Sequence, residues 1–115
     1  MQLEGLGKFC RLRHLLLEHC SLIQLANCVF ELRSLERLRV SHNMLTVLSQ
    51  KVGDLEELKS LEIGSNRLTA LPKELSRCTN LRTLMCEQNE QLKAIPPELG
   101  SLIKLKQLSA SNTGL

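Results

Sequence analysis

A chain of 115 residues with a formal net charge of +3 is one domain's length and long enough for a continuous apolar core. Its hydrophobic fraction of 43% and charged fraction of 23% exclude disorder, a disulfide-stapled miniprotein and a membrane span, while 2% aromatic content leaves 27 leucines to build the interior. The small charge and the lack of stacking platforms also argue against nucleic acid, which asks for a dense basic face or exposed aromatics.

The chain opens on residues 1–11, where Glu4 and Lys8 break any apolar signal-peptide core. Leu3, Leu6 and Phe9 are placed there as a half-repeat or N-terminal cap. A frame then begins at Leu12 and runs through Leu15, Leu17, Cys20, Leu22 and Leu25. It recurs as Leu35, Leu38, Val40, Asn43, Leu45, Leu48, then as Leu58, Leu61, Ile63, Asn66, Leu68, Leu71. The fourth copy is Leu81, Leu84, Cys86, Asn89, Leu92, Ile95, with one extra residue after Asn89; the fifth is Leu105, Leu108, Ala110, Thr113, Leu115. The starts are separated by 23, 23, 23 and 24 residues, and a constant period of this size marks a solenoid.

Within each copy the alternation of Leu38-x-Val40 or Leu61-x-Ile63 predicts a short strand with one buried face, and one such strand per repeat predicts a parallel sheet. The column Cys20, Asn43, Asn66, Asn89, Thr113 falls where the chain bends inward. An Asn amide there both donates to and accepts from the peptide groups of neighbouring coils, so the ladder is expected to be weaker at Cys20 and Thr113. Six and three residues before each start stand Leu6/Phe9, Val29/Leu32, Val52/Leu55, Leu75/Cys78 and Leu99/Leu102, the spacing of a short helix or 3₁₀ turn laid on the sheet. Leu71-Pro72 and Ile95-Pro96-Pro97 open two of these return arms; Ala26-Asn27 and Ser49-Gln50 take their place in the others. The expected product is a right-handed α/β solenoid, strands on a concave face and short helices on a convex one.

This pattern resembles the leucine-rich repeat, L-x-x-L-x-L-x-x-N/C-x-L. The period and the L-x-x-L-P opening look most like the intracellular, Ras-associated group of leucine-rich-repeat scaffolds. The resemblance covers nearly the whole chain and implies a single repeat domain over residues 1–115. It further implies a non-catalytic protein-protein interaction module, a scaffold or adaptor in signalling, whose partners by family analogy include small GTPases and phosphatases.

Because inward positions are committed to the core, recognition is expected on the outward strand residues. One column reads Leu16, Arg39, Glu62, Met85, Ser109, with Arg39 and Glu62 at pairing distance on adjacent strands. The central contacts assigned to a protein partner are Leu16, His19, Arg37, Arg39, His42, Glu62, Met85 and Glu87, since exposed aliphatic, Met and Arg groups make binding patches. A basic column, Arg13, Lys59, Arg82 and Lys106, interrupted by Glu36, reads as a solvated edge. His19 and His42 share a column with Cα atoms ~5 Å apart. Glu18 is nearby, but spacing alone fixes no third ligand, so the expectation is partner contact and no metal.

Cys20, Cys78 and Cys86 occupy ladder and core positions and are expected to be buried and inert, whereas Cys10 and Cys28 fall at outward positions of the return arms. Five cysteines in no pairing pattern point to a reducing, cytoplasmic setting. No Cys–His or Ser–His–Asp constellation survives the assignment of fold positions, and GxGxxG and P-loop patterns are absent, so neither an enzyme nor a cofactor is expected. The stacking side of Leu105, Leu108 and Ala110 is left without a following coil. The expectation is therefore a fragment of a longer array, or self-association through that C-terminal edge; a regulatory domain of a multidomain enzyme is the other alternative.

Overall fold

Each repeat contributes one three-residue strand: β1 (His14–Leu16), β2 (Arg37–Arg39), β3 (Ser60–Glu62), β4 (Thr83–Met85) and β5 (Gln107–Ser109). They form one parallel sheet in the order β1-β2-β3-β4-β5, so chain order and spatial order coincide. The register sets Leu15, Leu38, Leu61, Leu84 and Leu108 side by side on the inner face and Leu16, Arg39, Glu62, Met85 and Ser109 on the outer one. The computed structural model describes residues 11–115; the half-repeat over Leu3, Leu6 and Phe9, and Cys10, lie outside the described residues.

The period-two alternation does what it predicts. Leu38, Leu61 and Leu84 are wholly buried, as are Val40, Ile63 and Cys86 two residues on. Pairing continues one residue past each strand, for example Val40 N to Glu62 O at 2.9 Å and Ile63 N to Met85 O at 2.8 Å. The chain then enters the left-handed region at His19, His42, Ser65, Gln88 and Asn112, one residue before each ladder position, and turns inward.

At that turn the Asn amides join consecutive coils. Asn43 accepts through Oδ1 from Cys20 N (2.9 Å) and Leu22 N (3.1 Å) and donates through Nδ2 to Leu17 O (2.7 Å) and Val40 O (2.8 Å). Asn66 and Asn89 repeat the arrangement on the preceding coils, accepting from Leu45 N and Leu68 N. Thr113 instead bonds within its own coil, to Ala110 O at 2.8 Å, and Cys20 Sγ reaches only Glu18 O at 3.3 Å. The ends of the ladder are weaker, as the side-chain chemistry requires, and both residues are half-buried, so the expectation that Cys20 is buried is corrected.

The return arms are 3₁₀ helices: η1 (Asn27–Glu31), η2 (Gln50–Asp54), η3 (Lys73–Arg77) and η4 (Pro97–Ser101). A 3₁₀ helix has three residues per turn, so apolar pairs three apart fall on one face, and Val29, Leu32, Val52, Leu55, Leu75 and Cys78 are all wholly buried. The residue before each arm is extended whether or not it is proline: Ala26, Ser49, Pro72 and Pro96 have φ of −66°, −61°, −74° and −56°. Proline presets a geometry that Ala26 and Ser49 adopt without it. Ser49 adds a cap, its side chain accepting from Lys51 N at 3.1 Å. Gly53 leaves room for the next arm, since a Cβ there would lie 2.6 Å from Glu74 O.

Burial falls away along the stacking direction. Leu12, Leu15, Leu17 and Leu22 are only partly buried, and Leu108 is 49% exposed where its register partner Leu84 is 0%. Phe30, expected nowhere in particular from the repeat pattern, is packed in the core beside Val29.

Candidate binding surface on the outer face of the sheet

The outer strand column is built as its spacing predicts, but its charges pair differently. Glu62 lies opposite Arg39 in the register, yet it accepts two hydrogen bonds from Arg37, from Nε at 3.1 Å and from Nη2 at 3.3 Å. Arg39 turns the other way, its Nε 2.8 Å from Glu18 Oε1 and 3.9 Å from Glu62 Oε2. Its N–H does not point along the short contact, so this is an ion pair rather than a hydrogen bond. The four side chains form one alternating network, Glu18–Arg39–Glu62–Arg37, across three strands' worth of surface. Glu18 is the member that spacing did not single out as a partner for Arg39; the signal was its place one strand back from Ser41, in the column next to Arg39's.

Around this network, Leu16 is 51% exposed and His19 and His42 are exposed, while Arg37, Arg39, Met85 and Glu87 are half-buried. Among the four charged residues of the network Glu62 is the most enclosed, with 15% of its side chain accessible. In the neighbouring column Ser41 and Gly64 are buried: Ser41 donates to Glu62 O at 3.5 Å, and Gly64 lies under Glu87. A Cβ at Gly64 would fall 2.5 Å from Glu87 Oε1, so the absent side chain is what lets the Glu87 carboxylate lean across the strand. Glu87 Oε2 is enclosed there without a hydrogen-bond donor among the described residues.

The basic edge is partly neutralised. Glu36 bridges Arg13 at 3.7 Å and Lys59 at 3.3 Å, while Arg82 and Lys106 have no ion pair among the described residues. Three exposed apolar groups escaped the sequence reading: Ile103, 91% exposed on the last coil, and Ile23 and Val47, each 63% exposed, which sit on consecutive loops after the ladder turn. Isolated β-branched residues among loop polar residues were the only signal for them.

The two histidine rings stack face to face, centroids 4.6 Å apart and planes 9° from parallel. The structure supplies the third donor that spacing did not fix: one ligand atom each from Glu18, His19 and His42 lie within 4.8 Å of one another. The two wholly buried thiols, Cys78 and Cys86, do not offer nucleophiles. Burial, with Glu56 adding to it, pushes Cys78 up to about 12, and burial with Glu87 pushes Cys86 up to about 11. Cys28, expected outward, is half-buried at the second position of η1. No described helix is long and apolar enough to cross a membrane.

A family model described as a leucine-rich repeat region matches residues 1–114. Among solved structures, a leucine-rich repeat protein of Leptospira interrogans is 28% identical with a TM-score of 0.75, over 97% of this chain and 34% of that one. The leucine-rich repeat domain of the type III effector XopL gives 24% identity and a TM-score of 0.80, over 87% and 36%. An internalin, InlF, of Listeria monocytogenes gives 23% and 0.77, over 94% and 31%. The chain therefore spans about a third of the length of these structures, and the last two carry the fold alone. No curated protein matches it. With its repeat, its Asn ladder and its sheet now accounted for, the chain belongs to the leucine-rich repeat family.

Proposed function

We propose that the chain is a non-catalytic recognition module that binds a protein partner across the outer face of the sheet, as a scaffold or adaptor in cytoplasmic signalling. Leucine-rich repeat domains generally mediate protein-protein interaction, which sets the class. The observation that carries the placement is Leu16, an aliphatic side chain 51% exposed beside the Glu18–Arg39–Glu62–Arg37 network and in one column with Met85. Apolar side chains on either side of a fixed charge network, Leu16 on β1 and Met85 on β4, provide contact area while the charges between them set the register of a partner. His19, His42 and Glu87 extend that surface to either side.

The test is affinity capture with the native chain against a double variant, Arg39→Glu with Met85→Glu, checked by circular dichroism to be folded. A partner retained by the native chain and lost by the variant supports the outer face as the binding surface. Identical captures overturn it.

A second reading rests on Leu108, half-exposed beside Leu105 and Ile103 on the last coil, with Ile103 91% exposed. On that reading the chain assembles through its C-terminal edge. Light scattering with a size that rises with concentration, and that Leu108→Glu abolishes without unfolding, favours it.

A further inference from the structure

We propose that Glu18, His19 and His42 form a binding site for a divalent late transition metal, Zn2+ above all, at the first turn of the solenoid. This goes beyond the docking reading and does not depend on a partner, since the ligands all belong to this chain.

The donor set is two imidazole nitrogens and one carboxylate oxygen, the combination that leaves one position of a tetrahedral Zn2+ open to water or to an incoming side chain. Their placement is fixed by the backbone. His19 and His42 occupy equivalent left-handed positions in consecutive coils, with φ of 54° and 57°, so their side chains leave the turn in the same direction. The Asn43 amide clamps the segment that carries two of the three ligands. It donates to Leu17 O at 2.7 Å and accepts from Cys20 N at 2.9 Å, bracketing Glu18 and His19 and tying them to the residue after His42. The stacked rings 4.6 Å apart are the outcome of this clamp.

Arg39 completes the arrangement. Its Nε stands 2.8 Å from Glu18 Oε1, an ion pair that keeps the carboxylate at this place on the face. Metal-binding carboxylates and imidazoles are commonly held this way by groups one step out from the ion. Zn–N bonds of about 2.0 Å put two ligating nitrogens roughly 3.3 Å apart in tetrahedral geometry. The ligand atoms lie within 4.8 Å of one another, so closure asks for rotation of two exposed imidazoles and no backbone movement. The rings tilt out of their parallel stack as they converge.

The experiment is calorimetric titration of ZnCl2 into the full chain, paired with Co2+ absorption spectroscopy. The expected result is one saturable Zn2+ per chain, weakened at least ~10-fold by His19→Asn and by His42→Asn, because losing a direct ligand costs no less than losing a group behind it. Asn tolerates the left-handed backbone, so neither exposed position is strained by the change. His14→Asn, on the strand rather than at the turn, is expected to leave the affinity as it is. Absence of saturable binding overturns the proposal, and so does native affinity retained in both histidine variants. A thiolate charge-transfer band from bound Co2+ also overturns it, because it places the metal on cysteine. None of these outcomes bears on whether a protein partner docks on the sheet.

Discussion

Arg37 reaches diagonally from β2 to β3 to place two donors on Glu62, at 3.1 and 3.3 Å, although Arg39 is the residue set opposite that carboxylate. Directly opposed residues on parallel strands are only ~4.8 Å apart at the backbone, too short a span for an extended arginine and glutamate to meet end to end. The diagonal suits the longer side chain, and it leaves Arg39 for Glu18 on the other side.

A double-mutant cycle with Arg37→Ala and Glu62→Ala is therefore expected to give a coupling of about 1 kcal/mol in urea unfolding, falling as salt is raised. The half-exposed arginine keeps the value near the surface range. Arg39 with Glu62, at 3.9 Å and shared with Glu18, should couple less. A larger Arg39 coupling would mean that the register pair, not the diagonal, organises the face.

Asn66 and Thr113 occupy the same ladder column with opposite energetic weight. Asn66 accepts from Leu45 N and donates to Val40 O, Ile63 O and Gly64 O, all in buried surroundings. Asn66→Ala strands these groups and is expected to destabilise by about 3–5 kcal/mol. Thr113 holds only its own coil, so Thr113→Ala should cost no more than ~1 kcal/mol. Equal losses in denaturant midpoints would refute the ladder as the main tie between coils.

Two glycines in return arms should respond with opposite signs. At Gly53 an added Cβ meets the Glu74 carbonyl at 2.6 Å, a backbone atom that cannot swing away, and Gly53→Ala is expected to destabilise by about 1–3 kcal/mol. At Gly100 a Cβ meets nothing within 4 Å. Gly100→Ala should stabilise by ~0.5–1 kcal/mol by narrowing the unfolded ensemble. Thermal unfolding of the two variants, one below and one above the native midpoint, checks both.

The positions that sequence reveals best here are those repeated under one constraint. Leu38, Leu61 and Leu84 must all fill the same layer, so period and alternation specify strand, register and burial together. The outer column follows from the same alternation, which is why Leu16, Arg39, Glu62 and Met85 stand where their spacing places them. What alternation does not encode is side-chain reach. The choice of Arg37 over Arg39 by Glu62, the lean of Glu87 over Gly64 and the burial of Ser41 depend on length and neighbouring bulk. The turn at His19 and His42 is similar: the spacing gives a shared column, but only the left-handed backbone and the Asn43 clamp bring Glu18 to join them.

Cys78 supplies a pH dependence whose sign follows from burial. In the folded chain its thiol is raised from 9.0 to about 12, and its Sγ donates to Val52 O at 3.3 Å. Below pH 9 both folded and unfolded chains keep the proton, and this residue adds no slope. From pH 9 toward 12 the unfolded chain releases a proton that the folded chain retains, so stability declines across that window, by at most about 1.4 kcal/mol per pH unit for one thiol. Cys86, raised to about 11, adds the same trend over a narrower range. Cys78→Ala should be less stable at neutral pH, through its lost packing and hydrogen bond, yet lose stability less steeply between pH 9 and 11. Urea unfolding at a series of pH values separates the two effects. An unchanged slope in the variant would show that the thiol ionises in the folded chain as readily as in the unfolded one.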